Sequence, residues 1–255
     1  MVTRSTAWPE GTPCWVDLVV DDLDKAIQFY GGLFGWEIEK GGPEFGGYSM
    51  CRVDGKSVAG IGDKQSPDQP TVWTTYLAAE DVDKTAGKIA EAGGEVLMEP
   101  FDVMDVGRMT VGVDPTGAAF GVWQAGQHIG AELANEPSSV VWNEQMSRDL
   151  ETAKRFYTEV FGYTYEEVDD AGNPYAMLKV HDAVAGGLGI LGADTAAMMP
   201  AHWRVYFSVP STDAAVEKVT ELGGRVLSPP VDTPYGRLSV VSDDQDAMFV
   251  VIQGN

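Results

Sequence analysis

Two short stretches of this 255-residue sequence set an indole and a carboxylate two residues apart: Trp15 and Asp17 in PCWVDLVV, and Trp142 and Glu144 in VVWNEQMS. Alternate side chains of an extended strand share a face, so Trp15, Asp17 and Val19 project together, as do Trp142, Glu144 and Met146. Two further stretches add Thr74, Tyr76 and Ala78 in WTTYLA, and His202, Arg204, Tyr206 and Ser208 in HWRVYFS. A carboxylate or an imidazole moves protons near neutral pH, a guanidinium stabilises an anion, and indole and phenol faces stack on flat organic rings. The expected ligand contacts are therefore Trp15, Asp17, Thr74, Tyr76, Trp142, Glu144, Arg204 and Tyr206. If catalysis occurs, Glu144 or His202 is the candidate base and Arg204 the anion stabiliser. The same residues have a plain structural reading. Strand aromatics commonly fill cores, and Arg204 with Glu144 can be an internal ion pair that only neutralises two buried charges. Trp73 and Trp203, on the opposite strand faces, are expected to pack against helices.

The elements that carry these residues repeat. DDLDKAIQFYGGLFGWEIE, from Asp21, recurs as RDLETAKRFYTEVFGYTYE, from Arg148, with Phe29-Tyr30 matching Phe156-Tyr157 and Gly35 matching Gly162. Gly60 matches Gly187, Gly93-Gly94 matches Gly223-Gly224, and Gly107-Arg108 matches Gly236-Arg237, an offset of about 127 to 130 residues. Such self-similarity is the mark of an internal duplication. Each half divides again. PCWVDLVV reads as a strand, and DLDKAIQFYGGLFG carries an apolar face at Leu23, Ile27, Tyr30 and Phe34, closed by Gly35. Short strands WEIEK, YSMCRV and SVAGIG follow, the last two joined by the Asp54-Gly55 turn. From Thr71 the order βαβββ occurs again. The reading is α+β: four βαβββ units at about 13–62, 71–124, 140–191 and 201–252, in domains 1–125 and 140–255 joined by the linker 126–139. Halves of this size are long enough to bury cores of their own.

On VDLVVDDLDKAIQFYGGLFGW, GRMTVGVDPTGAAFGVWQ and their second-half counterparts, the chain resembles the vicinal-oxygen-chelate superfamily of glyoxalases, bleomycin-resistance proteins and dioxygenases. Its WVDL and WNE starts are similar to those of two-domain actinobacterial members described as glyoxalase-like, hydroxylase-like or antigen-type. The resemblance implies that two βαβββ units join into a curved half-barrel with a concave ligand site. In the enzymes of the family, His and Glu side chains on the first and last strands hold a divalent ion that acts as Lewis acid. The first-strand ligand stands seven residues before the Asp opening the helix; here that gives Trp15, Trp142 and Thr74, with Arg204 in the fourth unit. The last-strand glutamate, seven residues after the DPxG Asp, falls on Gly121 and Val250. No such position holds a metal-ligating side chain, so no metal and no cofactor is expected. A two-residue slip keeps the face and brings in Asp17, Glu144 and His202, which leaves a site short of ligands.

Bulk properties narrow the partners. With 39 acidic and 17 basic residues the net charge is -22, a field that repels nucleic acid and anionic membranes. No apolar run reaches membrane-spanning length and the N-terminal residues lack a signal-peptide pattern, which predicts a cytoplasmic location. Cys14 and Cys51 read as small core hydrophobes, and His128 and His181 as solvated residues of the linker and a hairpin turn. Because one chain supplies a symmetric pair, a monomer is expected. The leading expectation is a protein that binds a small, flat or aromatic organic molecule. The competing ones are an unorthodox lyase, isomerase or dioxygenase, with a non-standard metal site or metal-free acid-base chemistry, and a partner-binding protein with vestigial cavities.

Overall fold

The computed structural model describes residues 2–42, 46–170, 173–192 and 199–255. The first half contains β1 (Val2–Thr3), β2 (Pro13–Val20), α1 (Leu23–Phe34), β3 (Glu37–Glu39), β4 (Ser49–Val53), β5 (Lys56–Asp63) and β6 (Trp73–Ala78). It continues through α2 (Val82–Glu91), β7 (Glu95–Val103), β8 (Gly107–Val113) and β9 (Ala119–Ala125). After β10 (Leu133–Ala134), which pairs with β1, the second half supplies β11 (Val140–Ser147), α3 (Leu150–Phe161), β12 (Thr164–Asp170), β13 (Asn173–Val180) and β14 (Ala183–Ile190). It closes with β15 (His202–Ser208), α4 (Thr212–Glu221), β16 (Arg225–Thr233), β17 (Gly236–Ser242) and β18 (Met248–Gly254).

Each half makes one eight-stranded sheet, in the order β3-β4-β5-β2-β6-β9-β8-β7 and its repeat β12-β13-β14-β11-β15-β18-β17-β16. The four βαβββ units and two half-barrel domains are thus present. In each unit the first strand runs parallel to the last, and the two units of a half join antiparallel along β2–β6 or β11–β15. That seam sets Trp15 opposite Tyr76 and Asp17 opposite Thr74, and repeats as Trp142 opposite Tyr206 and Glu144 opposite Arg204.

The helices begin and end where the sequence supplies the chemistry. The Asp22 and Asp149 carboxylates accept from the backbone N–H three residues on, at 3.1 and 2.9 Å. Gly35 and Gly162, at φ 69° and 71°, close α1 and α3 in the left-handed conformation that glycine adopts without strain. The buried face of α1 is wider than the periodicity suggests: Ala26 and Phe29 are buried with Leu23, Tyr30 and Phe34, while Ile27 is only partly covered. The helix needs that width because it packs on its own sheet and on the other half as well.

The cores are accordingly not private to the halves, contrary to the expectation from length. One apolar cluster joins Phe29, Tyr30 and Phe34 of α1 to Phe207, Val219 and Phe249 of the fourth unit. A second joins Leu77, Ile89 and Phe120 to Phe156, Tyr157 and Trp203 of the third and fourth. The helix-bearing faces of the two sheets therefore turn toward each other, with α1 beside α4 and α2 beside α3. Two matching chains of buried hydrogen bonds each end on a carboxylate of the other half. Trp73 donates to Tyr30 at 3.1 Å and Tyr30 to Asp243 at 2.9 Å; Trp203 donates to Tyr157 at 2.8 Å and Tyr157 to Asp114 at 3.0 Å. Trp73 and Trp203 are structural, as their strand faces imply. No helix among the described residues is long and apolar enough to cross a membrane.

Candidate functional site

With the helix-bearing faces turned inward, the opposite faces form two separate bowls, and the seam strands place one carboxylate near the centre of each. In the first, Asp17 Oδ2 accepts from the Tyr76 hydroxyl at 3.0 Å and the Tyr48 hydroxyl at 3.4 Å, and the Trp15 indole donates to Tyr48 at 2.8 Å. In the second, Glu144 accepts from Tyr206 at 2.5 Å and Tyr175 at 3.1 Å, and the Trp142 indole donates to Tyr175 at 2.9 Å. The two sites are one design, a tryptophan, a carboxylate and two phenols, drawn twice by the duplication.

Tyr48 and Tyr175 lie outside the residues that strand alternation selects, because each precedes or enters a neighbouring strand. The available signal was the repeat itself: the register that aligns Gly60 with Gly187 also aligns Tyr48 with Tyr175. Those glycines have a steric reason. A Cβ on either would stand 1.9 Å from the tyrosine hydroxyl oxygen, so only a residue without a side chain lets the phenol reach the carboxylate. Gly121 does the same for Tyr76, whose ring would lie 2.2 Å from a Cβ there. A register shift just before Trp15 and Trp142 marks a bulge in each seam strand, a device that re-aims the side chains next to it.

The copies have diverged in charge and in filling. Opposite Asp17 stands Thr74, whereas opposite Glu144 stands Arg204, whose Nη1 lies 3.4 Å from the same Glu144 oxygen that Tyr206 holds. Burial without a cation pushes the Asp17 carboxyl up to about 7, its two phenol hydrogen bonds opposing only in part. The phenols of Tyr175 and Tyr206 are pushed up, first by burial and then by the Glu144 charge, so they remain donors. His202 lies two residues from Arg204, with Nδ1 2.9 Å from the Pro200 carbonyl, and burial lowers its pKa. No hydrogen bond joins it to Glu144 among the described residues.

The first bowl is filled from within. Trp15 and Tyr76 are 5% and 7% exposed and pack with Trp123 and Ala131, and with Val103, Val106 and Met109. His128 belongs to this packing, which corrects its reading as a solvated linker residue. Its ring meets Trp15 edge-on at 4.4 Å and Trp123 at 5.5 Å, and burial lowers its pKa to about 4, so the imidazole is neutral at physiological pH. The cause is that residues after β9 fold back, with the Gly126 and His128 N–H groups on the Val106 carbonyl and the Ala131 N–H on that of Cys14. His181 is exposed at the β13–β14 turn, as expected. In the second bowl Trp142, Arg204 and Tyr206 remain partly exposed.

Asp17 gives a pH test. Its folded pKa lies above the unfolded value, so the native state holds the extra proton between about pH 4 and 7, and this contribution to stability is present at low pH and lost as pH rises through 7. Asp17→Asn keeps an acceptor for Tyr76 without the buried charge. Relative to wild type it should raise the melting temperature at pH 8, and the gain should shrink toward pH 4. A gain that is constant with pH would mean that Asp17 is ionised throughout.

A model of the Glyoxalase/Bleomycin resistance protein/Dioxygenase superfamily matches residues 14–122 and again 139–251. Among relatives, the chain is 40% identical to a Mycobacterium tuberculosis (strain CDC 1551 / Oshkosh) protein that carries the name glyoxylase CFP32, over 98% of this chain and 97% of that one. It is 39% identical to the anthracycline biosynthesis protein DauV of Streptomyces sp. (strain C5), over 97% and 95%. Among solved structures, the Mn(II)-bound glyoxalase from Novosphingobium aromaticivorans superposes with a TM-score of 0.64 at 16% identity, covering 95% of this chain and 83% of that one. The 2,3-dioxygenase LapB from Pseudomonas sp. KL28 gives 0.65 at 12%, covering 96% and 93%. At such identities the structures share the fold alone.

Proposed function

The chain belongs to the Glyoxalase/Bleomycin resistance protein/Dioxygenase superfamily, and from that premise we propose that it binds a small, flat or aromatic organic molecule in its concave bowls, chiefly the second, without the metal the family's enzymes use. The observation that carries this reading is the second bowl itself: a partly exposed indole beside a carboxylate held by two phenols and a guanidinium. An aromatic face gives apolar burial and stacking, and the polar groups fix orientation. Glu144, engaged by three donors, acts here as the anchor that orients Arg204, Tyr206 and Tyr175. The name of the DauV relative agrees, since anthracyclines are flat fused-ring compounds.

The donor set does not suit a divalent ion. The positions where the family's ligands fall carry Trp15, Thr74 and Gly121 in one bowl and Trp142, Arg204 and Val250 in the other. Each central carboxylate is already taken up by phenols, and in the second bowl a guanidinium stands where a cation would have to approach. No group of three or more His, Cys, Asp or Glu side chains converges among the described residues. Added zinc, manganese, nickel or iron should therefore leave the melting temperature almost unchanged, because only a ligand that binds the native state stabilises it. Stoichiometric metal with a marked thermal gain would overturn this part of the reading.

A second reading, an enzyme using metal-free acid-base chemistry, is favoured by one observation: Asp17 in the first bowl is a carboxyl poised near 7 with no cation beside it. The two are separated by incubating the protein with fused-ring quinones and following both tryptophan fluorescence and the ligand's own mass. Saturable quenching with unchanged ligand supports binding, turnover supports the enzyme, and a chain that neither quenches nor converts any of them is neither. The reading includes a monomer in the cytoplasm, consistent with two free, buried cysteines in a reducing compartment.

A further inference from the structure

A cleft of about 380 Å³ opens between the halves, at the starts of β2 and β11, and neither central carboxylate lines it. Its walls come from the duplication in matched pairs: Pro13 and Val140, Cys14 and Val141, Trp15 and Trp142, Val16 and Asn143, Val58 and Ala185. It therefore lies on the internal twofold axis, where neither half alone could form it. The volume falls within the range of small-molecule sites, and all the paired wall residues but Asn143 are apolar or aromatic. Val184, 48% exposed, stands at its rim.

The axis is broken by the N-terminal residues, which cover one side of the cleft and bring it a cation. Arg4 lies over the Trp8 ring, with its guanidinium carbon 4.5 Å from the centroid, and the Trp8 indole is fixed by donating to the Ala131 carbonyl at 3.0 Å. Arg4 Nη2 donates to the Ala7 carbonyl at 3.1 Å, and no carboxylate pairs with this guanidinium among the described residues. In a chain of charge -22 that is a notable location for an arginine held on an aromatic ring at the edge of an apolar cleft.

We infer that this axial cleft is a second ligand site, for a flat, largely apolar organic anion whose rings lie between the paired strands and whose acidic group meets Arg4. Trp15 and Trp142 also stand in its walls, but neither central carboxylate and none of the four phenols does, so the site adjoins the bowls and goes beyond the ligand contacts proposed for them. Its occupant touches the bulged ends of β2 and β11, the strands that carry Trp15 and Trp142.

The test uses two probes with the same ring system, 8-anilinonaphthalene-1-sulfonate and the uncharged N-phenyl-1-naphthylamine, titrated into the full chain. Titrations are run in wild type and in Arg204→Ala, so that any probe bound in the second bowl is separated from the axial site. The expected result is one sulfonate site per chain that persists in Arg204→Ala, with Arg4→Gln weakening the sulfonate roughly ten-fold and leaving the neutral probe unchanged. Ala185→Trp, which fills the cleft, should remove both probes from that site. Val184→Trp at the exposed rim repeats the blockade if Ala185→Trp fails to fold. The inference is overturned if no sulfonate site survives in Arg204→Ala. It is equally overturned if Arg4→Gln weakens both probes alike or neither, or if the folded tryptophan variants bind as wild type does.

Discussion

Asp114→Ala should lower the melting temperature of the whole chain in a single transition, by roughly 10 °C, although the residue belongs to the first half. Asp114 is 2% exposed and accepts from the Tyr157 hydroxyl at 3.0 Å and the Gln145 amide at 3.0 Å, both in the second half, besides the Thr116 and Ala118 N–H groups of its own turn. Removing the carboxylate leaves several buried donors without an acceptor, a cost of about 3–5 kcal/mol. At roughly 2–4 °C per kcal/mol for a chain of this size, the shift follows. The transition stays single because Phe29, Tyr30 and Phe34 are buried against Phe207 and Phe249, and Phe156 and Tyr157 against Phe120. By the same reasoning, residues 1–125 and 140–255 expressed separately should fail to fold cooperatively and should recover structure when mixed. Calorimetry decides: two separated transitions in wild type, or halves that melt cooperatively on their own, would show that the shared cores are not what couples them.

Arg204→Ala and Trp142→Phe should change ligand affinity in different patterns. Arg204 is the cation of the second bowl, and its Nη1 lies 3.4 Å from Glu144, an oxygen that Tyr206 also holds. A ligand carrying an anionic or carbonyl oxygen loses a charge-assisted hydrogen bond in Arg204→Ala, about ten-fold or more in affinity, whereas a ligand without such an oxygen loses little. Truncation also leaves Glu144 with the two phenols alone, so Arg204→Ala with Glu144→Gln is the variant that removes the charge imbalance; it should recover stability without recovering the oxygen-bearing ligand. Trp142→Phe removes the indole N–H that positions Tyr175 and part of the stacking face, and should weaken flat ligands of every kind by a few-fold. Isothermal titration of each variant with a fused-ring quinone and its deoxygenated parent reads the difference. If both variants fold and bind both compounds as wild type does, the second bowl is not the site.

Much of this architecture is legible in the amino-acid order. The recurrence of DDLDKAIQFYGGLFG as RDLETAKRFYTEVFG, the capping residues Asp22 and Asp149 and the closing Gly35 and Gly162 specify four βαβββ units, because caps, left-handed glycines and strand alternation are local chemistry that needs only a few neighbouring residues. The same alternation puts Trp15 with Asp17, Trp142 with Glu144, and Arg204 with Tyr206 on shared strand faces, and it sends Trp73 and Trp203 to the helices. What it cannot supply is anything that depends on two distant strands meeting. Tyr48 and Tyr175 reach the carboxylates only because Gly60 and Gly187 lie beneath them across a strand pair. His128 fills the first bowl only because the residues after β9 turn back onto Val106. The exchange of Tyr30 to Asp243 and Tyr157 to Asp114, and with it the shared cores, follows from the relative placement of two sheets that no local pattern records. The two bowls, nearly interchangeable as strand sequences, are set apart by that placement: burial of an unpaired Asp17 beneath its own aromatics in one, and a Glu144 neutralised by Arg204 beside a partly open Trp142 in the other.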